Sequence, residues 1–260
     1  MPFPGNSSSA RPNGKQDGDL DTQCARRTRE KGERTVSRIV DLSPLVPQGF
    51  MGPPSTNIGV QFEVRTKPGY WQSAQVTMSL HTGCHVESAL HCIEGGESID
   101  QVDLERVIGS AVVLDLTPVE EEALIDVPDL ERARERLEGR QESIKPGDIL
   151  LLRTDWAQRA IGTSRYFPLS PGLTHDAARW LVERRPKCIG CDFFEEPAAR
   201  RPGWTADQFV VHRTILGAGI PLVEGLVNLK ELPPRSRFFA PFYRFAGIDS
   251  ALARAFALIE

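Results

Sequence analysis

Apolar runs and amphipathic segments alternate along the chain from Arg38 onward, which predicts a domain of interleaved strands and helices. Continuous apolar runs of the buried-strand type occupy residues 110–116, 148–153 and, less clearly, 187–192. A short apolar strand is predicted at 38–42. Residues 75–81 alternate strictly between apolar and polar side chains, which is the period-2 pattern of a strand with one buried face.

Helices are predicted between these strands. Residues 130–138 are highly charged and indicate a surface helix, and Thr174 is placed to cap a helix whose apolar residues recur at helical spacing. Thr205-Ala-Asp-Gln208 has the form of a capping box, and the helix that it opens is expected to run to about Leu216, before Gly217 and Gly219. Strands and helices that interleave in this way predict an α/β fold.

Composition divides the chain into two parts. Residues 1–37 are rich in Ser, Asn, Gly, Asp and Arg and predict a disordered N-terminal tail, so the catalytic domain is expected at 38–260. A net charge of −4 argues against a nucleic-acid partner. No apolar run approaches the roughly 20 residues that span a bilayer. An odd number of cysteines, five, fits a reducing compartment, and we expect the protein to be cytoplasmic.

Histidines are concentrated in one window of the sequence. Of five in the chain, His81, His85 and His91 lie close together, with Glu87 among them. If the strand predicted at 75–81 continues, His81, His85 and Glu87 project to the same side. Imidazole nitrogens together with a carboxylate oxygen suit Zn²⁺, Mn²⁺ or Fe²⁺. This window therefore predicts a metal or catalytic site.

A second pair of candidate ligands lies downstream. His212 shares a helical stripe with Phe209 and Leu216, and Glu224 ends an apolar strand. Taken singly, a histidine like His212 is more often a hydrogen-bonded core residue than a ligand, and a glutamate like Glu224 is more often the partner of an arginine. A metal ion shared with the first cluster would satisfy both buried groups at once.

Three stretches of sequence together resemble a known family. They are His81-x-Gly-x-His85-x-Glu87-x-x-x-His91, Leu216-Gly-Ala-Gly-Ile-Pro leading to Glu224, and Lys145-Pro-Gly-Asp148 before a Leu-rich strand. They resemble the cyclase-like metal-dependent hydrolases of the bacterial kynurenine formamidase and isatin hydrolase type, from Arg38 to the C-terminus. The resemblance implies a mixed-sheet, swivelling β/β/α domain that forms homodimers or larger homo-oligomers.

The same resemblance implies roles for individual residues. His81, His85 and Glu87 would hold a first metal ion. A second ion, where present, would share Glu87 and add His212 and Glu224, and His91 would be the general acid/base. The sequence departs from the family pattern at Glu87, Cys84 and Ala89, where the family has Asp, Thr and Pro. We therefore expect a divergent member in which the number of ions, one or two, is open.

The function that this resemblance implies is hydrolysis of an amide, lactam or lactone in a small-molecule substrate, with Zn²⁺ or Mn²⁺ as the cofactor. Aromatic walls are expected from Tyr70, Trp71, Phe193 and Phe194.

Several alternatives are open. A metal-dependent cyclase or dehydratase of a biosynthetic pathway would use the same site, and a non-catalytic metal-binding protein would share the fold. An Fe(II) oxygenase would need only His85, Glu87 and His212, and leaves the other candidates unexplained. The Cys188-x-x-Cys191 pair lacks a second ligand pair for zinc and sits in an apolar run, so it is expected to be structural.

Overall fold

A computed structural model describes residues 38–56, 58–200 and 203–259 of the chain. The tail predicted for residues 1–37 lies outside the described residues. The strands are β1 (Arg38–Asp41), β2 (Gln61–Lys67), β3 (Trp71–Thr77), β4 (His85–Glu87), β5 (Ile108–Asp115), β6 (Leu124–Ile125), β7 (Ile149–Arg153), β8 (Gly172–Leu173), β9 (Cys188–Cys191), β10 (Leu222–Glu224), β11 (Arg235–Phe239), β12 (Ser250–Leu252) and β13 (Phe256–Ile259). The α-helices are α1 (Val127–Gly139), α2 (Trp156–Ala160), α3 (His175–Glu183) and α4 (Val210–Gly217).

One mixed sheet of nine strands organises the described part of the chain, in the order β1-β13-β11-β5-β7-β9-β10-β4-β12. Its centre, β5-β7-β9-β10, is parallel, and the strands on both sides of this centre are antiparallel. The apolar runs predicted as buried strands are β5, β7 and β9. The expectation of an α/β fold with a mixed sheet is confirmed.

The two faces of the sheet bury two separate cores. Along β7, Leu150 and Leu152 pack into the core that also contains α1, α3 and α4, while Ile149 and Leu151 pack into the core on the opposite face. Burial on both faces explains why β7 is an uninterrupted apolar run rather than an alternating one. A side chain's position along a strand therefore decides whether it faces the helices.

Helix capping follows the sequence fully at Thr174 and only in part at Thr205. Thr174 accepts a hydrogen bond from the Ala177 amide and begins α3, as predicted. The charged helix is longer than expected, because Asp126 forms a capping box ahead of it. The capping box at Thr205 is present but opens only a single 3₁₀ turn, Ala206–Gln208, and α4 begins after Phe209. Gly219, at φ +74°, ends this segment as expected.

The strand predicted at residues 75–81 is wrong in its extent and in having a buried face. β3 ends at Thr77 and pairs only with β2, in a two-stranded hairpin separate from the large sheet. Val76, the apolar residue of the alternating stretch that lies on β3, is 54% exposed, so the alternating pattern does not mark a buried face here. His81 consequently lies in a turn, not on a strand.

Cys188 and Cys191 do not form a joint site. Both are fully buried on β9, but they pack into opposite cores of the sheet. Burial raises the pKa of the Cys188 thiol to about 12, which keeps it unreactive. The expectation that this pair is structural is consistent with that placement. In residues 38–56, 58–200 and 203–259, none of the helices has the length and apolar character to cross a bilayer.

Candidate metal centre

β4 brings His85 and Glu87 to the face of the sheet that carries the helices. It lies between β10 and β12, and its register places His85 opposite Glu224. The intervening residue, Val86, points into the other core. Side chains directly opposite in an antiparallel pair share one face. Three predicted ligands therefore meet because of strand register alone.

A close approach of two glycines makes this register possible. Gly83 and Gly225 both have positive φ angles, and a Cβ atom on Gly225 would lie 2.2 Å from the Gly83 carbonyl oxygen. The turn at Gly83 also brings His81 back over β4, where its Nδ1 lies 2.6 Å from Glu87 Oε1. His81 thus lies on the same side as His85 and Glu87, as predicted, but a turn rather than a strand places it there.

His212 reaches the cluster from α4. Its Nε2 lies 3.4 Å from Glu87 Oε2 and 3.3 Å from Glu224 Oε1. The Glu196 carboxylate accepts hydrogen bonds from the Val211 and His212 amides at the start of α4, which explains why this helix begins without a local cap. The structure therefore brings all five predicted metal ligands together: His81, His85, Glu87, His212 and Glu224.

His91 lies on a 3₁₀ turn (Ala89–His91) beside these residues. Its Nε2 is 3.9 Å from Glu87 Oε1, and its Nδ1 is 2.9 Å from Asp249 Oδ2. The same Asp249 oxygen lies 2.8 Å from His81 Nε2. One carboxylate thus holds two imidazole rings, and it was not among the predicted residues.

Two further acidic residues were missed as well. Glu195 and Glu196 are fully buried, and Glu195 Oε1 lies 3.5 Å from His212 Nε2. One signal was available in the sequence: both follow the carboxyl end of a buried parallel strand, where ligands bind in α/β sheets. No local pattern marks Asp249, because it lies 168 residues from His81 along the chain.

Electrostatics inside the cluster are strongly perturbed. Burial alone would lower the pKa of His81, but hydrogen bonds to Asp249 and Glu87 raise it to about 10. For His212 burial again opposes the shift, and the charges of Glu195 and Glu196 raise its pKa well above its ordinary value. Burial and the neighbouring Glu224 carboxylate raise the pKa of Glu195 well above its usual range. A divalent cation bound among these groups would compete with protons for the same nitrogen and oxygen atoms.

Unpartnered oxygens point to the same conclusion. Among the described residues, one oxygen each of Glu87 and Glu224 and both oxygens of Glu195 are buried without a hydrogen-bond donor. Such carboxylates are costly unless a cation meets them. Three groups of side chains each have ligand atoms within 4.8 Å of one another. They are His81–Glu87–His91, His85–Glu87–Glu224 and Glu195–His212–Glu224. The donor set fits one or two divalent ions.

A cavity of about 460 Å³ opens onto the cluster. His81, Glu87, His91, His212 and Glu224 form its floor. Its walls are mostly apolar and include Pro53, Pro54, Phe167, Pro168, Phe194, Trp204 and Phe209. An apolar pocket over convergent polar groups is typical of a small-molecule site.

Only one of the four predicted aromatic wall residues lines this cavity. Phe194 does, whereas Phe193 is fully buried in the core and Trp71 lies on the exposed hairpin. Tyr70, at the turn of that hairpin, is 88% exposed. These three predictions are wrong, because aromatic residue type alone does not indicate position in the fold.

Comparison with known proteins places this site in a family. The family model described as "Cyclase: Putative cyclase" matches residues 37–195. Isatin hydrolase from Roseibium aggregatum is 28% identical over 201 residues, which cover 69% of this chain and 72% of that protein. Kynurenine formamidase from Erythrobacter litoralis is 28% identical over 226 residues, covering 85% and 94%.

Solved structures agree on the fold. Isatin hydrolase A from Ralstonia solanacearum superimposes with a TM-score of 0.68 at 26% identity, covering 86% of this chain and 92% of that one. Isatin hydrolase A from Labrenzia aggregata, bound to benzyl benzoate, gives a TM-score of 0.71 at 23% identity, covering 86% and 94%. With its histidine-rich motif inside the matched region, the chain belongs to the putative cyclase family.

Proposed function

We propose that this protein is a metal-dependent hydrolase of a C–N or C–O acyl bond in a small amide, lactam or lactone. The observation that carries the proposal is the convergence of three imidazoles and several unpartnered carboxylate oxygens at the floor of an apolar cavity. The names of the relatives, isatin hydrolase and kynurenine formamidase, favour an amide over an ester. The non-catalytic alternative leaves His91, which lies beside Glu87 and lines the cavity, without a role.

His81, His85, Glu87, His212 and Glu224 are the proposed ligands of one or two ions, Zn²⁺ or Mn²⁺. A divalent ion in such a site polarises a carbonyl oxygen and lowers the pKa of water from 15.7 toward ~7. Asp249 orients the His81 ring by its hydrogen bond to Nε2, which leaves Nδ1 directed toward Glu87. Carboxylates that hold the second nitrogen of a ligand histidine fix its orientation and raise its basicity.

His91 is the proposed general acid/base. Asp249 accepts a hydrogen bond from Nδ1 of His91, so in the neutral ring Nε2 is the free base. His91 also lines the cavity, where its Nε2 can take a proton from water and return it to the leaving nitrogen or oxygen. Asp249 stabilises the imidazolium formed between these two steps.

The cavity walls favour a flat, apolar acyl compound. Phe194 and Phe209 lie with ring centroids 6.2 and 5.2 Å from that of His212, and Trp204 packs on Phe209 at 4.6 Å. Aromatic walls bind flat rings through offset stacking and edge-to-face contacts. We therefore expect aryl amides and fused-ring lactams to be better substrates than small aliphatic amides.

The test is a comparison of wild-type protein with His91→Gln, both loaded with Zn²⁺ or Mn²⁺. Isatin, a formanilide and an aryl lactone serve as substrates, and product is followed by absorbance. We expect turnover by the wild type that a chelator abolishes, and a loss of about 10²–10⁴-fold in kcat for His91→Gln with unchanged metal content. Turnover of none of the three by the loaded wild type, or full activity in His91→Gln, would contradict the proposal.

The cyclase alternative is separated by the fate of solvent oxygen. Hydrolysis in H₂¹⁸O transfers one labelled oxygen to the acyl product, whereas a dehydration or cyclisation adds none. Mass spectrometry of the product distinguishes these two reactions at the same site.

We further propose a homodimer, for which the exposed hairpin β2–β3 is the supporting feature. Phe62, Val64, Trp71 and Val76 expose apolar surface on this hairpin, and exposed apolar patches mark interaction surfaces. Light scattering of the purified protein measures the subunit number. The cytoplasmic location expected from the sequence stays a prediction.

A further inference from the structure

Glu195 is a buried acidic residue that the proposed function leaves without a role. Its side chain is fully buried, and neither carboxylate oxygen has a hydrogen-bond donor among the described residues. Asp192, a buried carboxylate three residues earlier, accepts hydrogen bonds from the amides of Thr154 and Asp155 and from the Thr154 hydroxyl. The contrast shows that the fold supplies donors to a structural carboxylate and supplies none to Glu195.

The backbone holds Glu195 in this position. Its carbonyl accepts a hydrogen bond from the Leu173 amide at 2.9 Å, and the preceding residue, Phe194, is held at both its amide and its carbonyl by the Ser170 hydroxyl. The side chain therefore cannot leave the site by a small movement of the loop. One oxygen of its carboxylate therefore stays within 4.8 Å of a ring nitrogen of His212 and of a carboxylate oxygen of Glu224.

Glu87 divides the cluster into two halves of different chemistry. Its Oε1 faces imidazole nitrogens, at 2.6 Å from His81 Nδ1 and 3.1 Å from His85 Nε2. Its Oε2 faces His212 Nε2 at 3.4 Å, on the side where Glu195 and Glu224 add carboxylate oxygens. Imidazole-rich sites suit zinc, and carboxylate-rich sites suit harder ions such as Mn²⁺.

We propose that Glu195 is a ligand of a second divalent ion, held together with His212 and Glu224, and that this oxygen-rich position favours Mn²⁺ over the imidazole-rich position at His81 and His85. The proposal rests on the metal site of the proposed function. Two ions would then be held at chemically different positions, with Glu87 Oε1 facing the imidazoles of the first and Glu87 Oε2 facing His212 of the second.

The test counts ions and does not depend on turnover. Metal-free protein receives one equivalent of Zn²⁺ and is then titrated with Mn²⁺, and free Mn²⁺ is followed by electron paramagnetic resonance. Wild type is expected to bind one Mn²⁺ per chain in addition to zinc. Glu195→Gln is expected to bind it at least about 10-fold more weakly, and the exposed control Glu120→Gln is expected to match the wild type.

Thermal unfolding supplies a readout that a purely structural role would not give. Glutamine keeps the shape of Glu195 but is a weak metal ligand, so Glu195→Gln is expected to leave the Tm of the metal-free protein nearly unchanged and to reduce the gain in Tm on adding Mn²⁺. A structural role would lower the Tm in both states. If Glu195→Gln does not fold, anomalous diffraction from wild-type crystals grown with Mn²⁺ decides instead. A second ion with a Glu195 oxygen at about 2.2 Å supports the proposal, and an ion that Glu195 does not contact overturns it.

The outcomes separate this inference from the hydrolase proposal. Wild-type Mn²⁺ affinity in Glu195→Gln overturns the inference, as does a wild type that holds a single ion, and either leaves a mononuclear hydrolase standing. Two ions in the wild type with loss of one in Glu195→Gln, but no turnover of any acyl substrate, support the inference and refute the hydrolysis. A wild type that binds no ion overturns both.

Discussion

Substitution of Gly225 by alanine tests whether a backbone contact between two glycines sets the geometry of the metal centre. Gly225 follows Glu224, and Gly83 lies two residues before His85. A Cβ atom at Gly225 would lie 2.2 Å from the Gly83 carbonyl oxygen and 2.6 Å from its carbonyl carbon. Both are backbone atoms, so no side-chain rotation can relieve the contact.

Two costs add in this variant. Gly225 has φ +70°, and an L-residue in the left-handed region costs roughly 1–2 kcal/mol. Forcing an extra methyl group between packed segments costs about 1–3 kcal/mol. The free energy of unfolding should therefore fall by about 2–5 kcal/mol, which corresponds to a Tm lowered by roughly 5–20 °C for a domain of this size.

The assay is thermal unfolding of the metal-free protein, followed by metal binding. Gly219→Ala is the matched control, because Gly219 has φ +74° but has nothing within 4 Å of its added Cβ atom. This control should lose only the conformational part, about 1–2 kcal/mol. Gly225→Ala should also bind Zn²⁺ more weakly, since separation of the two segments moves Glu224 away from His85. Equal losses of Tm in the two variants would refute the steric reasoning.

Three further predictions concern charge. Arg235→Met should lower the free energy of unfolding by about 2–3 kcal/mol, because it leaves the carboxylates of Glu142 and Asp148 without their salt-bridge partner. Arg237→Met on the same strand is the control and should change this free energy by less than about 0.5 kcal/mol. Chemical denaturation measures both, and equal losses would show that the two salt bridges do not stabilise the fold. Asp249→Asn should lower kcat about 10–100-fold. At saturating metal its effect should add only in part to that of His91→Gln, because Asp249 contacts His91 as well as His81; fully additive losses in steady-state kinetics would show that Asp249 does not act through His91. In metal-free protein the pKa of His81 is raised from 6.5 to about 10, so its contribution to stability is complete below pH 6.5 and is lost as the pH rises through 10. The free energy of unfolding, measured by chemical denaturation between pH 6.5 and 10, should therefore fall less steeply with pH in His81→Asn than in the wild type. An equal dependence on pH in the two proteins would argue against the raised pKa.

The sequence predicts the centre of the large sheet because the strands there are buried on both faces. The runs that became β5, β7 and β9 are apolar throughout, and such runs depend little on what lies beside them. The strand at 75–81 failed for the opposite reason. Alternation indicates two different faces but does not identify the partner, and here β3 pairs with β2 in an exposed hairpin.

Within the site, the sequence finds residues that lie close together and misses those that tertiary contacts bring in. The window from His81 to His91 is recognisable in the sequence because it holds three of the five histidines and Glu87. Asp249 is remote from it, and the buried pair Glu195 and Glu196 reads as a solvated acidic pair until the sheet order places it at the carboxyl edge of β9. The start of α4 depends on the same pair, because Glu196 caps it from outside the helix.

The position of Asp249 has a consequence for biosynthesis. This carboxylate holds both His81 and His91, yet it is translated 168 residues after His81. β12, which follows it, completes the pairing of β4, and β13 joins β1 to β11 inside the sheet. A nascent chain on the ribosome therefore exposes the histidine-rich window long before the groups that orient it exist. Ion loading of the proposed centre is accordingly expected only after the domain is complete.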